Sequence, residues 1–311
     1  MKVTLLLTAS LTALACVADV SGATLLVANG LGDRSVHAYD ATTLAPVAGF
    51  NFGLDPGFPP ELLSIAVSGN SFYVGKTHAG VGRYDATTGA PAAGWTSPSG
   101  LNFPYGLAVS GNRLYISNYV TNSVGVYNAT TGAVLTTSLI SGLSGPVGLA
   151  IWGDNLFVTN NDTNKVSLYN ATTGATINAN FITGLNEPFG LAVSDNSLYV
   201  AVSGTSYSSN GTVRKYDATT GLPSAGWNSP SGLNLPEGLA VADNRVYVAN
   251  WLGFTVDAFD ATSGAAIAGW NLPTNGNPVG VAVYTPPVPE PASATLLALG
   301  APILAVRRRR A

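Results

Sequence analysis

Gly106-Leu107-Ala108-Val109-Ser110-Gly111-Asn112-Arg113-Leu114-Tyr115-Ile116-Ser117-Asn118 is the stretch whose reading decides the fold. Two short apolar runs of period two flank Ser110-Gly111-Asn112, so it reads as a strand, a tight turn and a second strand. Downstream, residues 123–127 read as a third strand that ends in Tyr127-Asn128-Ala129-Thr130-Thr131-Gly132, and the segment after Gly132 reads as a fourth. The pattern then repeats. Tyr39-Asp40, Tyr84-Asp85, Tyr127-Asn128, Tyr169-Asn170, Tyr216-Asp217 and Phe259-Asp260 stand 45, 43, 42, 47 and 43 residues apart, each before Ala-Thr-Thr or Ala-Thr-Ser. Gly-Leu-Ala-Val begins at Gly106, Gly148 (ending in Ile151), Gly190 and Gly238, becomes Gly-Val-Ala-Val at Gly280, and is degenerate at Ser64-Ile65-Ala66-Val67.

Six copies of a four-strand unit of this length predict an all-β, six-bladed propeller. The chain enters on a strand-b-like segment, 24–29, and leaves on a strand-a-like segment, 280–284. The last blade is therefore expected to be zipped from both chain ends, which leaves no free inner edge. The unit resembles the NHL repeat and the related YVTN repeat, in residues such as Leu114-Tyr115-Ile116-Ser117-Asn118 and Leu156-Phe157-Val158-Thr159-Asn160. That resemblance implies architecture and leaves activity open.

Composition agrees, with 36 Gly, 19 Pro and only 9% charged residues, as befits many short strands joined by tight turns. Between residues 24 and 289 eight basic residues face fourteen acidic ones, a balance of −6. No basic stripe is available to neutralise phosphates, which excludes nucleic acid as a partner. The single cysteine, Cys16, lies in the N-terminal apolar segment, so the mature domain is expected to hold no disulfide and no thiolate-bound metal.

Both ends read as addresses. Met1-Lys2, the apolar run 3–17 and the small residues after it form a secretory signal over 1–23. Ala15, Ala18 and Ala23 are possible cleavage points, and Ser21-Gly22-Ala23 favours the last. Ala13-Leu14-Ala15-Cys16 fits a lipoprotein box poorly. The propeller is assigned to 24–284 and a linker to 285–291. At the other end Pro289-Glu290-Pro291, an apolar segment 292–306 and Arg307, Arg308, Arg309 and Arg310 occur in that order, ending at Ala311. This tail, 292–311 with its Pro-Glu-Pro lead, resembles the PEP-CTERM sorting signal of Gram-negative bacteria that make exopolysaccharide. As a short apolar helix the segment spans roughly 22 Å against a hydrocarbon core of about 30 Å, a marginal anchor whose arginines stay cytoplasmic. The resemblance implies transient inner-membrane insertion, an exosortase-like processing partner, and release to the cell surface or matrix.

Asn29, Asn118, Asn160 and Asn250 end strand b in four units, with Lys76 and Val202 in the other two. These project toward one rim near the axis, either as loop caps or as a polar ligand surface. The ligand reading adds Tyr119, Asn161, Trp251 and Tyr207, the last within the long insertion 203–211, and implies a neutral polar ligand such as a polysaccharide, or a surface protein. Trp95, Trp227 and Trp270 share a further position, as packing residues or as a stacking surface. The Asp or Asn after each Tyr or Phe is expected to brace the turn, since one carboxylate per turn falls short of calcium's six to eight oxygens.

Catalysis is not expected, and neither is a cofactor. Gluconolactonase-like propellers hold a metal with converging acids and amides, whereas the residues before each Gly-Leu-Ala-Val are Leu63, Tyr105, Val147, Phe189, Glu237 and Val279. Quinoprotein dehydrogenases carry Asp-x-x-Thr-Gly-x-x-x-Trp, and Trp95 lies six residues after Gly89 instead of four. His37 and His78 show no acid partner nearby in sequence. The alternative is a divergent propeller enzyme of lactonase, hydrolase or lyase type, built on Glu61, Glu187 and Glu237 if these meet across the channel mouth.

Overall fold

The computed structural model describes residues 22–52, 61–77, 80–204 and 210–286. His78, Tyr207, nearly all of the signal segment, and the tail with Pro289, Glu290, Pro291 and the four arginines lie outside the described residues. Strand a is the innermost of each blade and strand d the outermost. Blade 1 runs Leu62–Ser68, Ser71–Lys76, Gly80–Asp85; blade 2 runs Pro104–Ser110, Arg113–Asn118, Ser123–Asn128, Val134–Ile140; blade 3 runs Pro146–Trp152, Asn155–Asn160, Lys165–Asn170, Thr176–Ile182. Blade 4 is Pro188–Ser194, Ser197–Val202, Gly211–Asp217, Ser231–Leu233, and blade 5 is Pro236–Ala242, Arg245–Asn250, Thr255–Asp260, Ala266–Pro273. Blade 6 takes strand a from the C-terminal side, Asn277–Tyr284, and strands b and c from the N-terminal side, Thr24–Leu31 and Val36–Asp40. The molecule is a six-bladed β-propeller.

The expected closure is present. Thr24 pairs with Tyr284, Leu25 with Val283 and Leu26 with Ala282, antiparallel. Innermost strands of neighbouring blades touch all round, and Asn277–Tyr284 also touches Leu62–Ser68. Strand b is buried on both faces because a blade packs on either side of it: Leu114 and Ile116 join one core cluster and Tyr115 the next, as Leu156 and Val158 join one and Phe157 another. Each such side chain contributes about 1.5–3 kcal/mol by leaving water. Tyrosines on strand b tie neighbours together, as Tyr73, Tyr115 and Tyr199 donate to the carbonyls of Ala129, Ala171 and Ala261 one blade away.

Among the described residues only four blades have a regular strand d, where six were expected. The outer strands of blades 2, 3 and 5 open on Val134, Thr176 and Ala266, which pair with Tyr127, Tyr169 and Phe259. At the same repeat position blades 6, 1 and 4 carry Pro46, Pro91 and Pro223, and there only an isolated bridge to Tyr39, Tyr84 or Tyr216 forms. Each bridge is closed by the backbone groups on either side of the proline, as the Asp40 N–H to the Ala45 carbonyl and the Val47 N–H to the Ala38 carbonyl, so the proline costs no bond to strand c. The outer strand ends where the chain turns at once through Gly49, Gly94 or Gly226, whose backbones are left-handed. Blade 4 recovers a fourth strand later, at Ser231–Leu233.

The axis imposes the tightest packing. A Cβ placed on Gly106, Gly148 or Gly190 would collide with the carbonyl oxygen of Val147, Phe189 or Glu237 on the next blade, and one on Gly238 would lie 2.7 Å from Gly280 Cα. Ser64 fills the sixth of these positions. It fits because its strand-b partner is Gly75, where the other blades have Ser117, Thr159, Ala201, Ala249 and Ala28. A Cβ on Gly75 would stand 2.9 Å from Ser64 Oγ. Gly75→Ala alone should therefore destabilise by about 1–3 kcal/mol through overpacking. Combined with Ser64→Gly it should cost clearly less than the two single changes summed, a coupling of about 0.5 kcal/mol or more by urea titration. Additive losses would show that the two positions do not share one space.

Candidate functional site

A bulge at the rim end of strand a shapes the centre of the ring. Pro104 pairs with Asn118 and the ladder resumes only at Leu107 with Ile116; the same slip recurs after Leu62, Pro146, Pro188 and Pro236. Inside the bulge lie the axial residue and its glycine in blades 2 to 4 and the axial residue alone in blades 1 and 5, and bulges are a known means of re-aiming a side chain. Leu63, Tyr105, Val147, Glu237 and Val279 thereby line a small axial cavity of about 70 Å³. Glu237 Oε2 is sequestered there with no hydrogen-bond partner. Burial alone pushes its pKa up to about 8. Tyr105 is likewise pushed well above the usual phenol range, first by burial and then by the charges of Glu237, Tyr119 and Glu61. The three rim glutamates do not share a position: Glu237 lies inside strand a, whereas Glu61 and Glu187 precede it by one residue, with Glu61 exposed.

The asparagines lie beneath the rim. Asn118 and Asn160 are 1% exposed and Asn250 is 2% exposed. The Oδ1 atoms of Asn118 and Asn160 accept the amide N–H groups of Asn102 and Ser144, while the amide of Asn250 donates to Asp257. They act as loop braces. Above them, half-exposed, stand Tyr119, Asn161 and Trp251. Tyr119 reaches Asp162 of the next blade, and Asn161 donates to the Pro188 carbonyl. Around these lie apolar side chains that sequence reasoning passed over: Val120, Leu252 and Phe254 are 57%, 37% and 47% exposed. Their signal was an apolar residue inside a turn-like segment, as in Asn118-Tyr119-Val120-Thr121-Asn122.

Two features stand out on blade 2. A groove of about 530 Å³ is lined by Ser97, Pro98, Leu101, Asn102, Phe103 and Val120, with glycines and Pro104 completing the walls and no charged side chain among the lining residues. From its edge a file of rings leads inward: Phe103 to Tyr105 at 6.4 Å, Tyr119 to both at 6.2 and 6.3 Å, and Tyr105 to Phe189 at 6.3 Å. Phe103 takes a left-handed backbone, φ 56°, in front of Pro104. Gly145, Glu187 and Leu235 take the same conformation before Pro146, Pro188 and Pro236, so it belongs to the repeat.

The other singled-out residues have structural partners. Trp95, Trp227 and Trp270 pack edge-on or tilted against Tyr73, Tyr199 and Tyr247 at 5.7, 5.5 and 5.2 Å, between blades. Asp85 Oδ1 accepts the amides of Thr87 and Thr88 and the Thr88 hydroxyl, and Asp40, Asp217, Asp260, Asn128 and Asn170 repeat the brace. His37 does have an acid neighbour, contrary to expectation: Asp33, four residues back, meets its Nε2, and so does Ser35 Oγ at 2.7 Å. Both partners sit on one ring nitrogen, whereas a serine–histidine–acid relay needs the two nitrogens engaged separately. Among the described residues no three His, Cys, Asp or Glu side chains cluster as a metal site would require.

No family model matches the chain, and no curated protein matches it. Among solved structures it is similar to a chain in the crystal structure of a nidogen/laminin complex, at 16% identity and a TM-score of 0.66, covering 86% of this chain and all of that one. It is also similar to a protein of unknown function from Bacteroides caccae, at 15% identity and a TM-score of 0.61, covering 85% and 99% of the two chains. Similarity at this identity carries the fold.

The turn brace has a pH signature. The Thr43 and Thr220 amides and then hydroxyls hold Asp40 and Asp217 below the usual carboxylate range, as the Ser263 hydroxyl and amide hold Asp260. At Asp85 burial acts upward and the Thr88 bonds outweigh it. Depressed folded values mean stability that is present above about pH 4 and lost as pH falls through them. Asp85→Asn should keep the neutral-pH Tm, since blades 2 and 3 already use Asn, and should flatten the acid limb of the Tm profile. Asp85→Ala should lower Tm at pH 7 by roughly 2–4 °C, as a lost cap of about 1 kcal/mol does. Equal Tm profiles for all three proteins would refute the brace.

Proposed function

We propose that this protein is an exported β-propeller of the cell surface or extracellular matrix that binds a neutral polysaccharide across its rim and does not transform it. The observation that carries the reading is the groove on blade 2, which offers hydroxyl, amide and aromatic groups and no charge among its lining residues. Sugars are held by that combination, with rings against the apolar faces and amides against the hydroxyls. The half-exposed Tyr119, Asn161 and Trp251 and the exposed Val120, Leu252 and Phe254 extend the same chemistry over blades 2, 3 and 5. Export rests on the N-terminal signal, and surface delivery on the Pro289-Glu290-Pro291 motif with its apolar run and Arg307 to Arg310.

One observation speaks for the rival enzyme, the protonated Glu237 in the axial cavity, since a carboxyl titrating near neutrality suits a general acid. Its surroundings speak against it. The other residues at that level are Leu63, Tyr105, Val147, Phe189 and Val279, and a cavity of about 70 Å³ has no room for a sugar or lactone ring beside the carboxyl.

A panel of neutral and anionic polysaccharides presented to the secreted domain tests the binding reading. Binding to a neutral member should be nearly independent of salt, because no ion pair is involved. Tyr119→Ala and Val120→Asp should each weaken it by about tenfold with the Tm kept, as removal of an interface anchor does. Preference for anionic polymers, or metal-dependent hydrolysis of lactones or esters, would overturn the proposal. Sorting is tested separately: in a host with an exosortase, Glu290→Ala or deletion of Arg307 to Arg310 should hold full-length protein in the inner membrane. Mass spectrometry that finds residues 292–306 intact on released protein would refute processing.

A further inference from the structure

We propose that the axial cavity is a second, separate binding site that takes a primary ammonium group, with the Glu237 carboxylate as counter-ion and the ring of Tyr105 as one wall. Three observations converge on it. The first is a buried oxygen without a partner: Glu237 Oε2 faces a space lined by Leu63, Val147, Val279 and Tyr105, in which no side chain donates to it. A buried acceptor left unpaired costs stability, and a built-in donor would have been a small change at Val147 or Val279. The second is the room beside it. About 70 Å³ accommodates a few waters or the head of a slender ligand, and excludes a bulky one.

The third observation is the kind of wall. Tyr105 stands 6.3 Å from Phe189 with the rings tilted at 51°, and Phe103 and Tyr119 continue the file outward at tilts of 33° to 54° to their neighbours. Of these rings Tyr105 lines the cavity itself, and an aromatic ring attracts a cation at its face. An anion would meet Glu237 and Glu61, and a neutral alcohol could only hydrogen-bond the protonated acid, without the charge pairing that a cation gains once the proton has left. A primary ammonium on an alkyl stem meets every requirement, because it brings N–H donors for Oε2, positive charge for the carboxylate and a thin apolar tail for the rings. The titratable groups around the site are Glu237 and Tyr105 at the axis, with Glu61 and Tyr119 toward the rim. In the empty cavity Glu237 holds its proton up to about pH 8, so a cation seated at neutral pH must displace that proton.

The test uses n-butylammonium chloride on the folded, secreted protein, with 1-butanol and tetramethylammonium chloride as controls. Calorimetry at pH 7 in buffers of differing ionisation heat should show n-butylammonium binding with release of close to one proton per ligand. Butanol should bind more weakly and release no proton, since it lacks the charge, and tetramethylammonium should not bind, since it has no N–H for Oε2. Glu237→Gln should abolish proton release and weaken binding by at least about tenfold, as loss of a charged hydrogen-bond partner does. Its Tm should stay at or above that of the parent, which shows that the ring is intact. Tyr105→Leu should weaken binding severalfold without changing the proton count. Polysaccharide binding at the groove should survive Glu237→Gln, so the two sites fail or succeed independently. Butanol binding as tightly as n-butylammonium, binding unchanged in Glu237→Gln, or no heat and no Tm shift up to the solubility of the salt would each overturn the assignment.

Discussion

Six innermost strands cannot meet around one axis unless their backbones touch, and this close approach governs most of what the chain does. It demands glycine where one strand presses on the carbonyl of the next, as Gly106 does on Val147 and Gly148 on Phe189. It also demands a matching small or hydroxyl-bearing residue on strand b. Ser117 and Thr159 turn that demand to use: each accepts the glycine N–H of its own blade and donates to the axial carbonyl of the next blade. Where serine replaces glycine at position 64, glycine replaces the strand-b residue at position 75. The volume is conserved while the residues trade places.

The same constraint explains which parts of the structure could be read beforehand. Fold, blade number and closure were legible because the axial contact is repeated, so its glycine recurs at nearly even spacing and marks every unit. The turn aspartates were legible for a similar reason: Asp40-Ala41-Thr42-Thr43 contains both the acceptor and the two donors of one local brace, so no distant residue enters the inference. The fourth strands were harder. Gly89-Ala90-Pro91 and Gly132-Ala133-Val134 both bridge back to strand c, and whether an outer strand follows depends on the path beyond: the chain turns between Ala92 and Trp95 in blade 1 and runs on to Ile140 in blade 2.

The candidate site was legible only in outline. The end of strand b was rightly picked out as the rim, but a repeated asparagine at such a point serves whichever backbone groups the loops leave unpaired, and Asn118 and Asn160 turn inward to Asn102 and Ser144. Repetition points to structure, so residues that recur around the ring are the least informative about a ligand. The informative ones break the symmetry. The side chains of Phe103, Val120 and Phe254 recur nowhere at their positions in the ring, although the left-handed backbones of Phe103 and Phe254 are shared with Gly145, Glu187 and Leu235 and with Asn122 and Asn164. The Asp33–His37 contact escaped notice because it depends on the path of a turn, which period and composition do not encode.

A ring built this way offers two chemically different places. The axis is narrow and lined largely by apolar side chains, so a lone carboxyl there is driven toward its neutral form. The rim is wide, and its polar backbone is already satisfied by buried amides, which frees the outer layer to carry rings and methyl groups without exposing unpaired N–H or C=O. Rigidity belongs to the first and variability to the second, because a change at Gly106 is felt by blade 3 at once whereas a change at Val120 touches mainly solvent. New specificity is therefore expected to arise by substitution in the loops between strands b and c. The axis changes only through paired exchanges of the kind seen at Ser64 and Gly75.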